Sequence, residues 1–106
     1  MTTAHDLIAV LQHHIGEGNG IRGEDLARTL DVPSRRVRHL VDDAIEKLGV
    51  CVLGHPATGY FIGQTQAELD RVCQFHNSRA MHELHKASAL RKSSLADLAG
   101  QLHLKT

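Results

Sequence analysis

The stretch GEDLARTLDVPSRRVRHLVDDAIEKLG, Gly23 to Gly49, decides the fold. Gly23 to Leu30 puts Leu26, Ala27 and Leu30 on one face of a two-turn helix. Asp31-Val32-Pro33-Ser34 interrupts that pattern, because proline disfavours helical backbone at the residue before it. Ser34 has the side chain of a helix cap and is expected to open the next helix. There Val37, Leu40, Val41, Ala44, Ile45 and Leu48 recur at i, i+3, i+4, i+7, i+8 and i+11, the spacing of one buried helical face. Gly49 closes it. Two short helices around a tight turn are the expectation.

Upstream, Leu7, Ile8, Leu11 and Ile15 fall at helical spacing and predict a first helix stopped by GEGNG, Gly16 to Gly20. Downstream, VCVL (Val50 to Leu53) and YFIG (Tyr60 to Gly63) flank GHPATG, which predicts a β-hairpin with a loop of about six residues. Val52, Tyr60 and Phe61 are the candidates to cover the core. TQAE, Thr65 to Glu68, has the form of a capping box, with Thr65 as cap and Glu68 reaching back. No proline or glycine follows until Gly100, so a long helix is expected from Gln66 into the Arg91 region. Ser93 or Ser94 could cap a last short helix carrying Leu95, Leu98, Ala99 and Leu102. The expected architecture is mainly α with a small β-hairpin, in two parts of one compact unit. These are residues 1–64, with the helices and hairpin, and residues 65–106, a helical extension.

Length and composition agree with one domain. The chain has 106 residues, and 12 Lys and Arg balance 12 Asp and Glu, with nine His neutral. A uniformly basic nucleic-acid binder is excluded by that balance; a local basic patch is not. Aromatics are 3% with no Trp, which argues against a base-stacking platform. Cys51 and Cys73 stand far apart and outside any CxxC pair, so no disulfide framework is expected. The N-terminal residues MTTAHDL carry no basic leader pattern, and no apolar run approaches a membrane span. A cytoplasmic protein without membrane association is the expectation.

The order helix, helix, tight turn, helix, hairpin is carried by GIRGEDLARTLDVPSRRVRHLVDDAIEKLGVCVLGHPATGYFI, Gly20 to Ile62. This segment resembles the winged helix-turn-helix family. It looks most like the N-terminal domain of biotin protein ligase repressors, where a similar helix pair leads into a hairpin ending in a glycine–tyrosine–apolar step, here Gly59-Tyr60-Phe61. The whole chain is similar to small uncharacterised helix-turn-helix proteins of bacterial genomes and prophages. The resemblance implies sequence-specific binding of double-stranded DNA by a dimer, in transcriptional, prophage or mobile-element regulation. Winged helices that bind only protein share the pattern, so an adaptor role in a replication or phage complex stays open.

On the third helix the candidate site can be argued from the residues themselves. With the apolar stripe inward, Arg35, His39 and Asp42 point to the opposite side and Arg36 and Arg38 flank them. The cations fill the first turns, and Asp42, Asp43 and Glu46 come behind them. A recognition helix meets bases with its N-terminal residues, so shallow insertion is expected. Arginine can bind guanine or phosphate with two parallel hydrogen bonds. Arg22 and Arg28 could add backbone contacts, Ser34 lies at the entering turn, and His55 is the one cationic candidate in the hairpin loop. The candidate DNA-binding set is Arg22, Arg28, Ser34, Arg35, Arg36, Arg38, His39 and His55. The alternative is a plain solvated face.

In the extension, Leu69, Val72, Cys73, His76, Ala80, Leu84, Ala87 and Leu90 lie within a stripe of roughly 120°. A homodimer seam is expected there, with intramolecular packing as its alternative. Cys73, His76, His82 and His85 invite a metal, but they fan out around the helix and cannot converge on one ion. No metal site and no cofactor are expected. No nucleophile motif or phosphate-binding glycine loop is present in the sequence, and an enzyme is not expected.

Overall fold

The computed structural model describes residues 1–93. The expected last helix around Leu95 to Leu102 lies outside them. The described residues form four α-helices and one two-stranded antiparallel hairpin: α1 Ala4–Leu11, α2 Gly23–Leu30, α3 Ser34–Glu46, β1 Val52–His55, β2 Gly59–Ile62 and α4 Gln66–Lys92. The chain divides into two units, Met1–Val72 and Cys73–Thr106. The first turns of α4 therefore belong with the hairpin, eight residues beyond the boundary expected at 64.

The first unit is built around α3. Leu7 and Leu11 of α1, Leu26 and Ala27 of α2, and Val37, Leu40, Val41 and Ala44 of α3 are buried together with Val52 of β1. In α1 and α3 these residues lie three or four apart, and in α2 the partly buried Leu30 follows Leu26 and Ala27 one turn on, so each helix lays one stripe into a shared core. A second, smaller cluster joins Leu53 and Phe61 of the hairpin to Val72, with Leu69 packed against it.

The turn between α2 and α3 is made without glycine. Asp31 takes a left-handed conformation at φ 55°, a position that short polar side chains tolerate. The Asp31 and Val32 amides donate back to the carbonyls of Arg28 and Ala27, at 3.2 and 3.0 Å, closing the end of α2. The expected cap at Ser34 is not made. Ser34 is the first residue of α3, and Pro33 stands before it in extended backbone without a side-chain cap. Proline's fixed φ suits the entry to a helix, so the turn is set one residue earlier than a serine cap would set it.

Two apolar residues of the expected α3 stripe miss the core, Ile45 on the helix and Leu48 just past its end. Ile45 is 44% exposed and Leu48 38% exposed. The helix ends at Glu46, and the Val50 amide turns back to the Ala44 carbonyl at 3.1 Å past Gly49 at φ 66°. The chain reverses before the last turn of the stripe can be covered.

Ile15 is also placed differently from expectation. Helix α1 stops at Leu11, and Ile15 pairs with Ile62 as an isolated bridge. Ile21 makes a second bridge, to Tyr60. The amides of Ile21 and Tyr60 donate reciprocally to each other's carbonyls at 2.9 and 2.7 Å, and Gly16 and Ile62 tie the other end to Ile62 and His14. GEGNG thus does more than stop a helix: its two ends clamp the outer edge of β2, with a short 3₁₀ turn at Glu17–Asn19 between them.

The hairpin is tighter than the sequence suggested. The strands pair Val52 with Ile62, Leu53 with Phe61, Gly54 with Tyr60 and His55 with Gly59. Only Pro56, Ala57 and Thr58 remain in the loop. The Thr58 amide reaches the His55 carbonyl at 3.1 Å, and Gly59 at φ 79° completes the turn, a conformation that a side chain would strain.

Candidate nucleic-acid interface

The α2–α3 turn brings three of the candidate residues to one place. Arg35, Arg36 and His39, on the first turns of α3, line an open cavity of about 320 Å³ with Met1, Thr2, Val32 and Pro33. No carboxylate is among the lining residues. Arg35, Arg38 and His39 are exposed and Arg36 is half-buried. The buried positions Val37, Leu40 and Val41 fix the opposite face, so the core itself dictates which side chains face outward. No acid occupies the first turn of α3, and the N-terminal end of a helix carries partial positive charge. Arginine side chains and helix dipole agree in sign. Such a surface attracts a polyanion.

The other candidates are disposed differently. Arg28 is paired on its own helix with Asp25 at 3.2 Å, and both side chains are exposed. An ion pair of that kind is weak and easily exchanged. Arg22 lies just ahead of α2 and extends its guanidinium to the Pro56 carbonyl at 3.4 Å, next to the hairpin tip. His55 turns its ring inward on the loop, where Nδ1 accepts the Ala57 amide at 3.0 Å. Ser34 is exposed at the entry to α3. The tip residues Pro56, Ala57 and Thr58 carry no charge.

Two residues of the expected seam are spent inside the first unit. Val72 is 5% exposed and Leu69 packs against the same cluster, because Phe61 and Leu53 present an apolar surface there. Val72 is thereby withdrawn from any seam, and Leu69 is half-buried. Cys73, His76, Ala80, Leu84 and Leu90 are exposed, and Ala87 is half-buried.

Glu68 is the polar residue whose tertiary role the sequence left out. It closes the expected capping box, accepting the Thr65 amide at 3.0 Å while its own amide donates to the Thr65 hydroxyl at 3.2 Å. It also accepts the Gln64 amide at 2.7 Å and, across the fold, the Glu17 amide at 2.8 Å. The Glu17 amide, followed by that of Gln64, holds this carboxyl below its ordinary value, against an opposing push from burial. Arg71 adds to the lowering and pairs with Glu17. A glutamate following a serine or threonine by three residues signals a cap; nothing in sequence signals the distant amide.

Among the described residues no three His, Cys, Asp or Glu side chains gather as metal ligands, and both cysteines are free. No described helix is long and apolar enough to cross a membrane. Comparison with family models, curated proteins and solved structures finds no match.

Proposed function

We propose that the first unit binds double-stranded DNA in the manner of a winged helix, laying the first turns of α3 in the major groove, and that the protein acts as a regulator of transcription or of a mobile element. The observation that supports this most is the grouping of Arg35, Arg36 and His39 around one carboxylate-free cavity at the start of α3, with Arg38 exposed on the same turns. The acids Asp42, Asp43 and Glu46 lie further along α3 and limit how deeply it enters, since phosphates repel them. Pairing of two copies along the exposed residues Cys73, His76, Ala80, Leu84 and Leu90 and the half-buried Ala87 would present two such helices to a palindromic site.

The test is a fluorescence anisotropy titration of duplex DNA at fixed salt, with light scattering to give the mass in solution. An Arg35→Ala/Arg36→Ala/Arg38→Ala variant is expected to bind about 100-fold more weakly, from three contacts of about 1 kcal/mol each. Unchanged affinity would overturn the proposal. A second reading, a protein-binding module, is favoured by the exposed Ile45 on α3, the exposed Leu48 just past its end and the uncharged hairpin tip. It takes precedence if the wild-type chain binds no duplex.

A further inference from the structure

We infer that the part of α4 beyond Val72 is a second contact for the same duplex, its cations taking up backbone phosphates; this rests on the DNA-binding proposal above. From Cys73 to Ser93 the helix carries Arg79, Lys86, Arg91 and Lys92 against one carboxylate, Glu83, with His76, His82 and His85 interspersed. All of these side chains are exposed. Among the described residues the ion pairs are Arg28–Asp25, Lys47–Asp43 and Arg71–Glu17, so none of these four cations has a carboxylate partner there. Arg79 lies 5.6 Å from the centre of the Phe75 ring, which steadies the guanidinium without neutralising it.

The charges are also ordered around the helix. Arg79, His82 and Lys86 fall roughly 180–240° round from Cys73, while Ala80, Leu84 and Ala87 stay within about 40° of it. Arg79, His82 and Lys86 therefore lie opposite the apolar stripe, whereas on the last turn Arg91 falls in line with Cys73 and Lys92 about 100° from it. A helix that lies on lipid needs a broad apolar face anchored by large side chains. Beyond Val72 the stripe holds two alanines and two leucines, Leu84 and Leu90, with Met81 standing off it, a narrow face that favours nucleic acid over a membrane surface.

Magnitude makes the second contact useful. Affinity for duplex DNA falls with salt at a log–log slope of about 0.9 for each phosphate neutralised, so the slope counts the cations engaged. In the first unit Arg28 is shared with Asp25 and Arg22 leans on Pro56, which leaves the arginines of α3. The four cations of α4 would raise a slope of about 3 to about 6.

The experiment titrates the full-length chain against a mixed-sequence duplex of about 30 base pairs between about 50 and 200 mM NaCl. Four proteins are compared: wild type, an α3 variant (Arg35→Gln/Arg36→Gln/Arg38→Gln), an α4 variant (Arg79→Gln/Lys86→Gln/Arg91→Gln/Lys92→Gln), and a charge-keeping α4 variant (Arg79→Lys/Lys86→Arg/Arg91→Lys/Lys92→Arg). The α4 variant is expected to lose about 3 from the slope at unchanged helicity, and the charge-keeping variant to match wild type. If the α3 variant weakens and the α4 variant keeps the full slope, the α4 contact is wrong and the α3 proposal stands. If both α4 variants lose binding alike, packing and not charge is responsible, and the contact is again overturned. Wild-type binding to phosphatidylserine–phosphatidylcholine vesicles without binding to duplex would overturn both proposals in favour of a membrane surface. Absence of binding to either probe would overturn both as well.

Discussion

Within α4, the turns from Gln66 to Val72 and the turns after Cys73 have the same backbone and opposite surroundings. In the first stretch Glu68 holds the Glu17 amide, and Leu69 and Val72 lie against Phe61 and Leu53. In the second only Phe75 and Ala87 are even half covered, and Met81, Leu84 and Leu90 are about two-thirds exposed at 64, 65 and 66%. The first stretch is positioned by tertiary contacts; the second relies on local helix propensity among the described residues. The side chains of the second stretch are accordingly exposed where those of the first are packed. The arginines of α3 sit on a scaffold fixed by the core, whereas the cations of α4 lie on turns without such packing among the described residues.

Substitutions can break or sharpen that contrast. The largest effect is expected from Phe61→Ala, which empties a position only 1% exposed in the cluster that seats Leu69 and Val72. A loss of about 4 kcal/mol is expected in urea unfolding. A loss below about 1 kcal/mol would show that the first turns of α4 are not held by this cluster. Gly59→Ala comes next, at about 3 kcal/mol, because the new methyl group would strain φ 79° and run into the Ile21 carbonyl. Thermal unfolding followed by circular dichroism measures it.

Glu68→Gln is expected to destabilise less than either, and with a definite pH dependence. The folded-state pKa of Glu68 lies below its ordinary value near 4.5, chiefly through the Glu17 amide. Its contribution is therefore fully present above that value and is lost as the pH falls through the folded-state pKa. Wild type should unfold at a higher temperature than the variant at neutral pH, and the gap should narrow on acidification below about 4.5. A gap that widens in acid would contradict the assigned bonding. The smallest effect belongs to Leu84→Gln in the unpaired chain, within about 0.5 kcal/mol for a residue 65% exposed there. A larger loss that grows with protein concentration would mean that Leu84 is covered by a second copy.

Much of this was legible in the residues. Helix α2 runs from Gly23 to Leu30 as its apolar spacing says, because the turn residues on both sides leave no other length. The cluster of Arg35, Arg36 and His39 follows from the stripe of Val37, Leu40 and Val41, since burying one face orients the other. What escaped was non-local. Ile15 fits the helical spacing of Leu7, Ile8 and Leu11 equally well, and only Ile62, distant in sequence, decides that it leaves the helix. The three-residue hairpin loop depends on Gly59 meeting Ile21, and the fate of Ile45 and Leu48 depends on where the chain has to reverse. Spacing along one segment cannot report the segment that will lie beside it.

The close approach of Gly20, Ile21 and Gly59 has a mechanical consequence. A side chain at Gly20 would collide with the Thr58 carbonyl and one at Gly59 with the Ile21 carbonyl, so backbone touches backbone there. Arg22, which enters α2, adds its bond to Pro56 at the very tip. The hairpin tip and the entrance to α2 consequently move as one lever. A force applied to Pro56–Thr58 is delivered to the helix that seats α3, and the two cannot be displaced separately without opening the paired amides of Ile21 and Tyr60.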